Sequence, residues 1–368
     1  QVPILATASP AGSCNNDVIC PVGDPWRAEI PAVGAISLGG SLYCSGFLVN
    51  NTAQDQKPLF MTAFHCGVGA GNAASLVVYW NFQSPDCGDQ SGGSLAQFQT
   101  GSAFRAAYAT SDFTLVELDD PVDPTFQLSF AGWNRGDDVP TSAVAIHHPS
   151  GDEKSISFEN DPLEIASYLG YTTPGDGTHL RVPDWDDGTT EGGSSGSPLF
   201  DQDRLVVGQL HGGYAACGIH DSDWYGRLFV SWTGGGTPES RLSDWLDPLG
   251  TGAVTLPTLA PWLTGLQVLP AGAAAFAGPS GGPFLPVVVA YSLTNRSDEP
   301  LDYRASDDAP WLELGNAVGT LAPGASAVVT AACNSYAPQI GDGTYQGEIA
   351  FTNLTDHDGD TVRRATLT

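Results

Sequence analysis

Positive charge is what this chain has least of. Its 368 residues carry 13 Lys plus Arg against 41 Asp plus Glu, a formal net charge of −28. Only Lys57 and Lys154 are lysines. Such a deficit excludes nucleic acid as a partner, because phosphate binding depends on Lys and Arg. Basic peptides would instead be drawn in by the field, although solubility in a salty or extracellular setting would call for the same acidity. Long apolar runs are also missing, so no membrane span is expected. The seven cysteines include no C-x-x-C pair and no His-rich metal pattern, so neither a metal nor a cofactor is expected. Sustained apolar periodicity of the helical kind is scarce, whereas Gly (45) and Pro (27) are abundant. Short strands parted by turns, an all-β chain, follow from that balance. The segment Gln1-Val2-Pro3-Ile4-Leu5 lacks a basic region followed by an apolar core, and reads as a processed start rather than a signal peptide.

Six cysteines, Cys14, Cys20, Cys44, Cys66, Cys87 and Cys217, fall in the first 220 residues. An even cluster of this kind implies three disulfides and an oxidising compartment, with about fifteen pairings open to six cysteines. Cys333 is left over in the strand-like run Val328-Val329-Thr330-Ala331-Ala332-Cys333, where a buried free thiol is expected.

Three short stretches carry chemistry. Pro58 to Ala63 reads as a strand that runs out at His65-Cys66. Ser111-Asp112-Phe113 opens another alternating strand, and Gly193-Ser194-Ser195-Gly196-Ser197 precedes a third. Glycines around a serine keep its hydroxyl uncrowded and leave backbone N–H groups free to face an oxyanion. Taken singly, each stretch also describes a turn or a surface loop. Together, a hydroxyl, an imidazole to take its proton and a carboxylate to orient the imidazole make a nucleophilic triad: Ser195, His65 and Asp112.

The combination resembles the trypsin-like serine proteases through Thr62-Ala63-Phe64-His65-Cys66, Ser111-Asp112-Phe113-Thr114-Leu115 and Gly193-Ser194-Ser195-Gly196-Ser197-Pro198. More closely, residues 12 to 252 resemble the bacterial lysyl endopeptidases. That resemblance is carried by Val49-Asn50-Asn51-Thr52-Ala53, Ala145-Ile146-His147-His148-Pro149, Gly208-Gln209-Leu210-His211-Gly212-Gly213 and Ser231-Trp232-Thr233-Gly234-Gly235-Gly236, among other blocks. It implies two six-stranded antiparallel β-barrels of chymotrypsin type with a site between them. It also implies disulfides Cys14–Cys217, Cys20–Cys87 and Cys44–Cys66, and an oxyanion hole from the N–H groups of Gly193 and Ser195. Gly212 and Gly213, beside His211, would pair with the substrate backbone. Asp223 matches the carboxylate of the primary specificity pocket, so the implied substrates are proteins or peptides cut after Lys. One departure stands out. The family places a Trp near the histidine matched by His211, where this chain offers only Tyr168 and Tyr171.

The expected organisation is a protease domain over 1–250, a linker over 251–264 rich in Pro, Thr and Leu, and a β-sandwich over 265–368. Through Tyr291-Ser292-Leu293-Thr294-Asn295, Trp311-Leu312-Glu313-Leu314 and Gly343-Thr344-Tyr345-Gln346-Gly347, the sandwich resembles the immunoglobulin-like appendages of bacterial secreted hydrolases, for which a surface or polymer ligand is one expectation and a spacer role another. Asp356-His357-Asp358-Gly359-Asp360 has the flavour of a calcium loop without its later Glu, and is expected to be a solvated hairpin turn. The chain is expected to be secreted, monomeric and a lysyl-specific serine endopeptidase. A protease accepting both Arg and Lys, and an idle protease scaffold acting as a surface-binding protein, are the alternatives.

Overall fold

In a computed structural model, the protein is described over residues 10–88, 90–269, 273–297 and 299–368. The stretch Gln1 to Leu5 lies outside the described residues. The chain divides into two compact units, Gln1–Trp262 and Leu263–Thr368.

The first unit is built from two curled antiparallel sheets. Its N-terminal sheet runs Phe98–Thr100, Leu76–Trp80, Val33–Leu38, Ser41–Leu48, Leu59–Ala63, Phe113–Leu118 and Ser102–Tyr108, so one short edge strand joins a six-stranded barrel. The second has six strands as its spine: Ser155–Glu159, Ala143–His147, Pro198–Asp201, Val206–Gly213, Asp223–Arg227 and His179–Val182. Short strands, among them Asn16–Asp17 and Glu164–Ala166, extend its ends.

Side chains alternate across a strand, and here both faces find apolar partners. From Leu59–Ala63, Leu59 and Met61 enter a cluster shared by the two sheets, while Phe60 enters the interior of its own barrel. Val144 and Ile146 join the shared cluster, and Ala143 and Ala145 line the second barrel. Three contiguous cores result, and the shared one holds the barrels in register.

Three disulfides, Cys14–Cys217, Cys20–Cys87 and Cys44–Cys66, close loops with separations of 203, 67 and 22 residues. Each such closure contributes roughly 2–4 kcal/mol, mainly by restricting the unfolded chain.

Two local readings differ from the sequence expectation. The apolar run from Tyr225 to Trp232 reads, on composition alone, as a single strand, but the strand ends at Arg227 and Leu228–Thr233 is an α-helix. Leu228, Ser231 and Trp232 are buried at positions one turn apart; a short apolar run cannot be assigned to strand or helix by its composition. The stretch 251–262 is not a free linker. Thr255–Leu256 pairs with Trp133–Asn134, the Pro257 carbonyl accepts from Asn50 Nδ2 at 3.0 Å, and Trp262 Nε1 donates to Ser129 Oγ at 3.1 Å.

The second unit is a two-sheet sandwich. Leu266–Leu269, Val289–Asn295, Ser326–Cys333 and Leu312–Gly315 form one sheet; Ala274–Phe276, Thr361–Leu367, Tyr345–Asn353, Leu301–Asp307 and Val318–Leu321 form the other. Tyr291 and Leu293 from one sheet and Ile349 and Phe351 from the other meet in its core. Cys333 is free and only half-buried, packed at the edge of that core. Asp356 to Asp360 forms a turn whose carboxylates are engaged internally: Asp356 Oδ1 accepts from Asn353 Nδ2 at 2.6 Å, and Asp360 Oδ1 from Asn353 N at 2.6 Å.

Phe47 is fully buried in the shared cluster, so Phe47→Ala is expected to cost about 3–5 kcal/mol. A urea titration of the variant checks this, and a midpoint equal to the parent's would remove the shared cluster as the unit's main core.

Candidate active site

His65 sits where the buried strand Leu59–Ala63 breaks into the short turn Phe64–Cys66. Gly67, at φ 76°, closes that turn, a left-handed conformation that glycine adopts without steric cost. The Cys44–Cys66 bridge fastens the turn to the neighbouring strand, and Tyr43 donates its hydroxyl proton to the Cys66 carbonyl at 2.7 Å. The imidazole is therefore half-exposed on a rigid base.

Asp112 is the opposite case, with 2% of its surface exposed. Its backbone turns at φ 56° just ahead of Phe113–Leu118, a conformation Asp tolerates better than most residues. Its carbonyl accepts from Phe64 N at 2.7 Å, its Oδ1 from His65 N at 3.0 Å, and its Oδ2 lies 2.8 Å from His65 Nδ1. Both ends of the His65 residue are thus held by one carboxylate. The loop is pinned from the second barrel: Gln209 Nε2 donates to the Ser111 carbonyl at 2.6 Å. Gly226 is needed there, since a Cβ at that position would collide with the same carbonyl.

Ser195 lies in a tight loop between Gly193 (φ 95°) and Gly196 (φ 81°). Its carbonyl accepts from Ser45 N at 2.8 Å, and Ser45 Oγ donates to the Gly193 carbonyl at 3.0 Å. A Cβ on Gly196 would strike Thr62 Oγ1 and the Ser45 carbonyl. The serine loop therefore rests directly on the two strands that flank the His65 turn. Behind it, Ser194 Oγ lies 2.8 Å from His147 Nδ1, and His147 Nε2 lies 3.0 Å from Ser157 Oγ, which donates to the Thr189 carbonyl at 2.6 Å. Full burial pushes His147 down to about 3.

His211 is stacked between two rings. Tyr168 lies against it with centroids 3.6 Å apart and planes inclined by 4°, and His65 lies on its other side at 5.4 Å and 18°. The position near His211 is thus filled by Tyr168. Tyr171 instead meets Trp224 edge-on and contacts Asp221. His211 Nε2 is 3.7 Å from Asp112 Oδ1, and its Nδ1 is 2.9 Å from His179 Nε2. Burial pushes both His179 and His211 down to about 4.

Asp223 is buried at the start of the strand Asp223–Arg227, with 1% exposed. Its Oδ2 accepts from Trp185 Nε1 and from Thr190 Oγ1, each at 2.7 Å. Gly213 leaves space beside Oδ1, which a Cβ there would occupy. Among the described residues no Lys, Arg or His forms an ion pair with Asp223, and burial raises its pKa above the usual carboxylate value. Oδ1 therefore lies against Gly213, and the Ala215 backbone N–H also donates to this desolvated carboxyl group.

His65, Asp112, His211 and the serine loop are brought together, while Asp223 lies across the strand pair Gly213–Asp223. His147, His179, Trp185 and Thr190 were not singled out from sequence. Thr190 borders the serine loop and could have been noticed there, and His147 lies in a block that carries the family resemblance without a role attached to it; His179 and Trp185 sit in or beside ordinary strands and carry no local signal.

Two curled antiparallel sheets joined through a common core, with the His65 turn of one resting beside the Gly-bounded serine loop of the other, make up a chymotrypsin-like fold. Comparison with known families refines this. The family described as "Lysyl endopeptidase, C-terminal domain" matches residues 8–226, and the chain belongs to that family. A lysyl endopeptidase of Pseudomonas aeruginosa is 32% identical over 229 residues, covering 58% of this chain and 48% of that protein. The chain thus spans about half the length of this relative. Among solved structures, the secreted serine protease VesC from Vibrio cholerae aligns with TM-score 0.39 and 13% identity over 92% of this chain and 69% of its own. A Glu endopeptidase aligns with TM-score 0.39 and 16% identity over 60% and 96%.

Buried neutral histidines leave a stability signature. His147, His179 and His211 bind protons less readily folded than unfolded, so the unfolded chain takes up more protons below the ordinary value of 6.5. Stability from these groups is complete above about 6.5 and declines as pH falls toward 4. Urea unfolding across that window should show the decline, and His147→Gln should flatten it. A parent curve without slope there would contradict the burial of these rings.

Proposed function

We propose that the chain is a secreted serine endopeptidase that cleaves peptide bonds on the carboxyl side of lysine. The observation that carries the specificity is Asp223, a desolvated carboxylate with no cationic partner among the described residues. A substrate ammonium would relieve that imbalance, whereas a neutral side chain would leave it in place. Lys is favoured over Arg by the donors already present. Oδ2 is taken by Trp185 and Thr190, so a planar guanidinium cannot use both oxygens side by side, while a compact ammonium needs only Oδ1.

In the mechanism, Ser195 Oγ attacks the scissile carbonyl as His65 Nε2 takes its proton. Asp112 holds the His65 Nδ1 proton and stabilises the imidazolium. The N–H groups of Gly193 and Ser195 receive the oxyanion. His65 then protonates the leaving amine, and water, activated in the same way, releases the acyl group. Gly212 and Gly213 continue the Val206–Gly213 strand as an edge to which the substrate backbone can add.

The two lysines of the chain agree with this reading. Lys57 is followed by Pro58, and Lys154 is fully buried with Nζ donating to the Ile30 carbonyl at 2.9 Å. An Arg-rich composition bias would produce the same scarcity, so the lysines are supporting detail. Three disulfides and the acidic surface suit an oxidising extracellular setting.

Asp223→Asn should fold with a thermal midpoint at neutral pH no lower than the parent's and lose about 10³-fold or more in kcat/KM on Lys amides. Unchanged kinetics would remove Asp223 from the specificity pocket. Paired Lys and Arg amides separate lysyl specificity from dual specificity. Asp112→Asn should lower kcat by about 10⁴-fold. A serine-directed phosphonate should add its mass at Ser195, and absence of that adduct would favour a binding scaffold over an enzyme.

A further inference from the structure

Behind His211 a hydrogen-bonded chain leads away from the site, and its polarity can be worked out from its far end. The Asp176 carboxylate only accepts. Thr178 Oγ1 lies 2.7 Å from Asp176 Oδ1 and must give it the hydroxyl proton. With that proton committed, Thr178 Oγ1 can only accept from His179 Nδ1, 2.7 Å away. A neutral His179 then has a bare Nε2, so the 2.9 Å contact to His211 Nδ1 requires the proton on His211. A neutral His211 in turn presents a bare Nε2 to Asp112 Oδ1 at 3.7 Å. Two acceptors face each other there, and no hydrogen bond joins them.

The other tautomer of His211 would reverse this. With its proton on Nε2, His211 would give Asp112 an additional donor, beside the backbone N–H and the Nδ1–H of His65. We infer that His179 is a positioning residue: by accepting from His211 Nδ1, it fixes the tautomer of His211 and keeps the Asp112 carboxylate undivided for His65. The inference rests on the catalytic reading above only for its effect on turnover.

The groups facing these rings are few. His211 meets Asp112, His65, His179 and Tyr168, and His179 meets Asp176 through Thr178, together with Tyr168 and His211. A proton added anywhere on the His179–His211 pair reverses the His211 end of the chain and makes His211 Nε2 a donor to Asp112, while Thr178 still donates to Asp176. Burial of both rings, which holds them near 4, confines that reversal to acid.

The test uses the full chain labelled with ¹⁵N at histidine. In the parent, His211 should show protonated Nδ1 and bare Nε2 at neutral pH. In His179→Leu it should show protonated Nε2. Because Asp112 then shares its charge, the titration midpoint of His65 should fall by about half to one pH unit. On a Lys amide, the acid limb of kcat/KM should move down with it, and kcat should drop about tenfold with KM little changed, the weight of one hydrogen bond. His179→Gln, whose amide oxygen can accept from His211 Nδ1, should recover most of the loss. Thr178→Val removes the acceptor that orients His179 and should give the Leu variant's signature without touching either ring, which covers a Leu variant that fails to fold. A parent His211 protonated on Nε2, or a His65 midpoint unmoved in both the Leu and Val variants, overturns the inference. A parent with the expected spectra but no hydrolysis would count against the proposed function alone, since the tautomer and the His65 midpoint are read without turnover.

Discussion

The carboxylate of Asp112 is the interaction on which the first unit's site depends. It is almost fully buried, and it holds the His65 backbone and ring with separate oxygens. A buried anion is costly unless donors surround it, and here the donors all belong to residues that the site must place. The same requirement explains the left-handed turn at Asp112 and the glycine at 226, which lets the second barrel come close enough to grip the Ser111 carbonyl. Loosening that contact would free the loop that orients His65.

A second buried carboxylate, Asp223, is arranged in the contrary sense. Its Oδ2 is satisfied by neutral donors and its Oδ1 is left beside a glycine edge. The two acids show how environment assigns roles to identical groups. Asp112 meets the backbone and ring of His65, whereas Asp223 meets only neutral donors, from Trp185, Thr190 and the Ala215 backbone. Stacked Tyr168, His211 and His65 lie beside Asp112, so the aromatic wall also limits its contact with water.

Much of this was readable from local sequence. His65, Asp112 and Ser195 could be picked out because each stands at a strand end or in a glycine-bounded loop, the positions a nucleophilic triad would need, and the fold does place His65 against Asp112. The all-β class followed from turn-rich composition. What could not be read depends on contacts between distant segments. His147 ends an unremarkable apolar strand, and only the fold brings Ser194 and Ser157 to its two nitrogens. His179 opens another strand and gains its meaning from His211, far along the chain. The choice of Tyr168 over Tyr171 beside His211 was open for the same reason, since both occupy one loop and differ only in where the fold points them. The helix Leu228–Thr233 was hidden because its apolar run satisfies either period.

The ladder formed by residues 251–262 bears on where this molecule can be divided. Composition places a boundary at 250, yet beyond it Arg135 is held by the carbonyls of Gly252 and Ala253 at 2.8 and 2.7 Å, and Gly132 donates to Thr258 Oγ1 at 3.0 Å. A recombinant fragment stopped at 250 would uncover the Trp133 edge and leave polar atoms unmatched. One carried through Trp262 keeps its outermost strap, so the smallest self-sufficient piece is longer than its chemistry alone would suggest.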